Sequence, residues 1–231
     1  MKSKMITKEQ LAGIIDNTLV TPTAVTKEFE QFCQEAIENQ FIMIAVSPCM
    51  IKYCAHELKG SGVTIGASIS FPFGRATVDT KIFEIEQAIR DGAVEIEYVM
   101  NIGECKSGNF DYISDEMKAI VEICRERNVL CKVIIETCYL TDEEMVAVAK
   151  IASEIKPDFL KTSTGFGPAG ARVEHVKLLV NAASPDVQIK AAGEIRDWET
   201  CAAMIDAGAT RIGTRSGQKI MQEFIQQNRN S

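Results

Sequence analysis

Eight short apolar runs, largely β-branched and separated by stretches of helical spacing, limit the folds open to this chain. They are FIMIAV (41–46), VTIGASIS (63–70), VEIEYVM (94–100), LCKVIIE (130–136), DFLKTS (158–163), VQIKAA (187–192) and TRIGT (210–214), with a weaker eighth, IIDNTLV, at 14–20. Most are apolar on both faces, as parallel strands covered by helices are. Between them, Ile113, Met117, Ile120, Val121 and Cys124 fall on one helical face. TDEE at 141–144 is a capping box, in which Thr141 caps and Glu144 reaches back. DGAVEI (91–96) and AGATRI (207–212) share one punctuation: a helix stops at glycine and a strand follows. Eight strand–helix units in 231 residues predict a single (β/α)8 TIM barrel over residues 1–231. An open doubly wound sheet is the alternative, although no G-x-G-x-x-G follows the first strand.

The composition excludes several function classes. A 46% hydrophobic chain of this length builds its own core. The net charge is −7 and no basic stripe is present, which argues against nucleic acid. No apolar run approaches the roughly 18 residues of a membrane span. The first residues, MKSKMITKEQL, lack a signal peptide's apolar core, so the expected location is the cytoplasm. Eight scattered cysteines without a C-x-x-C pattern read as reduced, mostly buried thiols. The two histidines, His56 and His175, lie in helical stretches and supply neither a zinc site nor a Ser-His-Asp triad. No metal or cofactor is expected.

Active residues of a barrel stand at the C-terminal ends of its strands. Those ends carry Asp16 and Thr18 on the first strand, Glu97 on the fourth, Lys161 on the sixth and Lys190 on the seventh, and GTRSG (213–217) follows the eighth. Two lysines on adjacent strands facing one carboxylate suit amine chemistry. A free lysine, with a pKa of about 10.4, is protonated at neutral pH and must lose its proton to attack a carbonyl. Lowering that pKa to about 7–8 takes roughly 4 kcal/mol, which burial and a second ammonium can supply. Glu97 would hold Lys190 charged and relay protons, while the hydroxyls of Thr162, Ser163 and Thr164 would orient water or substrate. Glycine-containing turns in STGFG, AAGE and GTRSG bring backbone N–H groups to one rim, where barrels often bind phosphate. Salt-bridged structural lysines remain an alternative reading of the same residues.

The segments KTSTGFG, IKAAGEIRDWETCAAMIDAGATRIGTRSG, VEIEYVMNIGECKSG, VIIET and SFPFG resemble class I deoxyribose-phosphate aldolases of the DeoC-like family, over about residues 10–220. The resemblance implies a (β/α)8 barrel that joins or splits acetaldehyde and glyceraldehyde 3-phosphate without a metal. It implies that Lys161 forms the Schiff base, that Lys190 perturbs it and takes part in proton transfer, and that Glu97 occupies the family's aspartate position. It places the phosphate rim at Gly165, Gly193, Glu194, Arg215 and Ser216. The small-molecule partners are then an aldehyde and a sugar phosphate, and a homodimer or higher homo-oligomer is compatible with the sequence.

Several positions depart from the family pattern. DNTLVTP puts Asn17 and Thr21 where histidine and lysine are usual, and Ala45 and Ser47 replace a common cysteine and asparagine. Glu97 is one methylene longer than aspartate. Glu194 stands where glycine is usual and Arg215 where serine is usual. The arginine either offsets the carboxylate beside a phosphate or pairs with it and removes the phosphate site. An aldolase of the same mechanism with another acceptor aldehyde therefore stands beside the family reaction. A non-catalytic barrel that binds a sugar phosphate is a third reading.

Overall fold

All eight apolar runs form strands in the computed structural model: β1 (Ile15–Leu19), β2 (Met43–Val46), β3 (Thr64–Ile69), β4 (Glu95–Val99), β5 (Leu130–Ile134), β6 (Phe159–Lys161), β7 (Gln188–Ala192) and β8 (Arg211–Thr214). The described residues are 2–229, so the outermost ends of the expected 1–231 domain lie outside them. Neighbouring strands pair in parallel and in sequence order, and β8 closes on β1 with Ile15 opposite Ile212. That closure gives the (β/α)8 barrel and rules out the open sheet.

α1 (Lys8–Ala12) precedes β1, and each strand is then followed by helix: α2 (Thr26–Asn39), α3 (Pro48–Glu57), α4 (Val78–Asp91), α5 (Ile102–Lys106) with α6 (Phe110–Glu126), α7 (Asp142–Ile155), α8 (Val173–Ala182), α9 (Trp198–Ala207) and α10 (Gly217–Arg229). The capping box opens α7, with the Glu144 N–H donating to Thr141 Oγ1 and the Thr141 N–H to Glu144 Oε2 at 2.8 Å. Gly92 (φ 117°) ends α4 and Gly208 (φ 110°) ends α9, a left-handed stop that a side chain would strain. The apolar face read for α6 is buried. Among the described residues no helix is long and apolar enough to cross a membrane.

The strands are shorter than their apolar runs. β5 stops at Ile134, and two residues later Glu136 takes φ 53°, which turns its carboxylate towards the loop after β6. Period two then sorts the strand residues. Ile96, Tyr98, Val133, Leu160, Ile189 and Ile212 are buried on the outer face against the helices, each worth about 1.5–3 kcal/mol if fully transferred from water. The inner face is different. Barrel interiors are mostly filled with branched apolar residues, yet here all seven charged residues of the strands converge inside: Asp16, Glu95, Glu97, Lys132, Lys161, Lys190 and Arg211.

Candidate active site

The site is built from strand register. Lys161 on β6 lies opposite Lys190 on β7, and Glu97 on β4 lies opposite Lys132 on β5. Gly213 on β8 makes room for Lys190, because a Cβ there would meet Lys190 Cε at 2.9 Å. A buried pair steadies β4 from outside. Lys81 on α4 binds Glu116 on α6 at 2.7 Å and donates to the Val99 carbonyl, while Glu116 accepts the Asn101 N–H.

Glu97 is the hub. Its Oε2 accepts from Lys161 Nζ at 2.6 Å, and its Oε1 contacts Lys132 Nζ at 3.0 Å and Lys190 Nζ. Asp16 meets Lys190 at 2.5 Å, Lys132 at 2.7 Å and Arg211 on its other oxygen. Glu95 meets Lys132 at 2.6 Å and Arg211 at 3.1 Å. Four cations thus face three carboxylates, with one positive charge in surplus. Isolated buried charges of this kind are costly, and mutual pairing offsets the cost.

The electrostatics follow from that packing. Burial drives the Lys190 pKa down to about 8 against the pull of Asp16 and Glu97, with Lys132 and Lys161 adding to the fall. Burial alone would raise Asp16, but Lys132, Lys190 and Arg211 outweigh it and hold the carboxyl down at about 2. Burial likewise opposes ionisation of Glu97, and Lys161, Lys190 and Lys132 overcome it, leaving its pKa well below the carboxylate range. Lys132 is pushed the other way: burial disfavours its charge, and Asp16, Glu97 and Glu95 together raise its pKa.

A cavity of about 420 Å³ opens over this cluster at the C-terminal mouth. Lys161 lines it, whereas Lys132 and Lys190 lie fully buried beneath. Of the other residues singled out in the sequence, Thr18, Gly165, Gly193, Glu194, Arg215 and Ser216 also line it. Asp16 stays below, joined to the mouth through Thr18, whose hydroxyl donates to the Asp16 carbonyl. The structure places Thr162 and Ser163 off the cavity wall. The Thr162 hydroxyl staples β6 to β7 through the Ala192 backbone, and Ser163 donates to Thr162. Thr164 lines the mouth, and its hydroxyl and N–H are bound by the buried Glu136 carboxylate. Burial raises the pKa of Glu136 against those hydrogen bonds.

At the rim, Glu194 and Arg215 do not pair. Glu194 Oε2 accepts the Gly170 N–H at 3.0 Å, and Arg215 is exposed without an ion pair among the described residues. The Ser216 N–H, expected to face the rim, is bound by Thr214 Oγ1. Arg196, which sequence reasoning passed over, also lines the cavity, so two guanidinium groups and one carboxylate edge it. Lys132, Glu95 and Arg211 were missed as well. Their signal was available: each is a charge inside an apolar strand, as Lys161 is. His56 is exposed on α3 beside Glu57, and His175 lies on α8; neither lines the mouth. Six of the eight free cysteines are buried.

A closed parallel barrel with a lysine amine at its C-terminal mouth and a buried charged cluster beneath it fits the aldolase class of (β/α)8 enzymes. Within that class the chain belongs to the DeoC/LacD family of aldolases, whose family model matches residues 9–223. The deoxyribose-phosphate aldolase of Bacteroides thetaiotaomicron is 48% identical over 216 residues, covering 94% of this chain and 91% of that protein. That of Lactobacillus acidophilus is 45% identical over the same share of each. Among solved structures, the aldolase QR15 superposes with a TM-score of 0.90 at 36% identity, covering 98% of this chain and 99% of that one. The tetrameric deoxyribose phosphate aldolase of Aeropyrum pernix gives 0.88 at 27% identity, covering 95% and 92%. The motif resemblance and the barrel expectation are both borne out.

Proposed function

We propose that this chain is a class I aldolase that reversibly cleaves 2-deoxy-D-ribose 5-phosphate to acetaldehyde and D-glyceraldehyde 3-phosphate, with Lys161 as the Schiff-base lysine. The observation that carries the role of Lys161 is its position: of the three lysines bound to Glu97, it alone reaches the mouth cavity. The amine attacks the sugar's aldehyde carbon and water leaves; the C3 hydroxyl then gives up its proton, the iminium accepts the electron pair as the C2–C3 bond breaks, and glyceraldehyde 3-phosphate departs. The enamine left behind takes a proton at carbon and is hydrolysed to acetaldehyde. Each step needs a proton moved near Lys161 Nζ. Glu97 bridges that amine to Lys190, whose pKa of about 8 lets it take and return protons near neutrality. The surplus positive charge of the cluster favours release of a proton from one lysine before attack.

At the rim, Arg196 and Arg215 supply the charge for the substrate's phosphate, with Gly165 and Gly193 leaving the backbone open to it. Glu194 on the same rim is the one feature that favours an unphosphorylated acceptor, and its bond to the Gly170 N–H ties that carboxylate to the loop after β6. Residues 1–231 act as one domain. The free cysteines suit the reducing cytoplasm, and a homo-oligomer agrees with the tetramer described for the Aeropyrum relative.

The test is trapping. Incubation with acetaldehyde and borohydride should add one ethyl group at Lys161, and Lys161→Ala should lose both the adduct and cleavage. An adduct at Lys190 in the wild type overturns the assignment, and no adduct at all points to the silent barrel.

A further inference from the structure

We infer that a second cavity beside the catalytic mouth is a binding site for a planar aromatic anion. It has a volume of about 360 Å³ and is framed by the loops that follow β3, β5 and β6 and by α5, which follows β4. Three observations carry this.

The first is exposed aromatic surface. Among the described residues four aromatic side chains are strongly exposed, and three of them, Phe73 (76%), Tyr139 (49%) and Phe166 (47%), line this one cavity. Exposed apolar side chains scattered singly need no explanation, but aromatics gathered round a concavity mark a ligand surface. They present flat faces and edges for stacking on a ring.

The second is charge. Arg75 lines the cavity, is exposed and makes no ion pair among the described residues. Its guanidinium lies over Gly103, where a Cβ would come within 3.2 Å of NH1, so the missing side chain lets it lie flat against the wall. Lys106 adds a second cation, already paired with Glu144 at 2.7 Å. The one carboxylate in the lining, Glu136, is buried and taken up by the Thr164 N–H and hydroxyl, so the unpaired arginine over an aromatic hollow selects a ring that carries an anionic group.

The third is size and position. The volume suits a small molecule, whereas a stable protein interface needs about 800 Å² from each partner, far more than this hollow offers. Thr164, Phe166 and Gly167 line both this cavity and the mouth. Phe166 is braced edge-on against Phe71 with ring centres 5.4 Å apart. The occupant therefore lies one wall away from Lys161 without touching it.

The probes are naphthalene-2-carboxylate and its uncharged amide, titrated calorimetrically into the intact protein. The carboxylate should bind one to one with a Kd of about 1 mM or tighter, the scale expected for a ligand of this size. Arg75→Gln should weaken the carboxylate about tenfold and leave the amide within about twofold. Protein whose Lys161 has first been capped with acetaldehyde and borohydride should bind the carboxylate as before. That separates this site from the mouth, and the titration of uncapped protein does not depend on Lys161 chemistry. The proposal is overturned by absence of saturable binding, by equal affinity in Arg75→Gln, or by loss of binding after capping. It is also overturned if sedimentation shows self-association that Phe73→Ser abolishes, since the hollow would then be covered by a second copy.

Discussion

Lys161 and Lys190 are register partners on adjacent strands, and one carboxylate holds both amines: Glu97 receives Lys161 on Oε2 and Lys190 on Oε1. In the proposed reaction a proton leaving the mouth amine crosses a single residue to reach Lys190, whose pKa burial has brought down to about 8. The two lysines are therefore unequal by position. In that proposed reaction the first meets substrate and the second stores the proton, in keeping with the exposure of Lys161 to the mouth cavity and the full burial of Lys190.

Lys190→Met tests that division. Methionine fills most of the volume, and three cations then face three carboxylates, so the fold should survive. Cleavage should slow at least about a hundredfold, the usual scale for one acid–base group. Below about pH 8 a growing share of Lys190 is protonated and unable to accept, so wild-type kcat/KM should rise with pH through that value. The variant should lack that limb. A limb that stays in place would assign it to another group.

Glu97→Gln should cost both rate and stability. Three buried ammonium groups lose their shared counter-charge, and breaking a buried pair typically costs about 3–5 kcal/mol. Glu97→Asp is the finer test. Shortening the side chain withdraws the carboxylate by about an ångström, enough to lose one of the two lysines it now spans. The expected result is a fall in kcat with trapping at Lys161 retained. A rise in kcat would mean that glutamate is the poorer residue for this reaction.

Acid should loosen the barrel from inside. Asp16 ionises at about 2 in the folded chain against an ordinary 3.8, so it stabilises the fold above pH 4 and that stabilisation fades as pH falls to 2. The contribution is about 2 kcal/mol. Urea unfolding between pH 5 and pH 2 should show the loss, and Asp16→Asn should flatten it. Lys190 has a slope of the same sign in a higher window, because its depressed pKa makes stability grow between about pH 8 and 10.5. An unchanged acid slope in Asp16→Asn would assign the loss to Glu97 or another carboxylate.

The strands were legible because β-branched runs bounded by glycine and polar turns carry both sheet propensity and sheet burial. Lys161 stood out by ending a strand among hydroxyl residues. Lys132, in LCKVIIE, and Arg211, in TRIGT, gave the same signal less conspicuously. The outer face of a barrel strand meets helices, where an unpaired charge is costly, so the charges within the strands point inwards to one another. Reading all seven together would have yielded the whole cluster. The rim was less legible. Whether Glu194 meets Arg215 depends on loop dihedrals, and nothing in AAGE or GTRSG encodes that Glu194 turns to Gly170. The side cavity was invisible for the same reason, since three separate loops and α5 build it.

Glu194 deserves the last test because its backbone works against it. Its φ of 61° lies in the left-handed region, which costs an ordinary residue about 1–2 kcal/mol and glycine almost nothing. Its carboxylate returns about 1 kcal/mol through the Gly170 N–H. Glu194→Gly should therefore leave stability within about 1 kcal/mol of wild type while removing a negative charge from the rim. The preference for deoxyribose 5-phosphate over deoxyribose, read as a ratio of kcat/KM, should rise. Arg215→Ser should lower the same ratio tenfold or more, about 1.4 kcal/mol of transition-state binding. Because the two side chains do not touch, their effects on unfolding free energy should add within about 0.5 kcal/mol. A larger coupling in stability would show that they pair in solution. A rise in the ratio on losing Arg215 would make the unphosphorylated acceptor the better substrate.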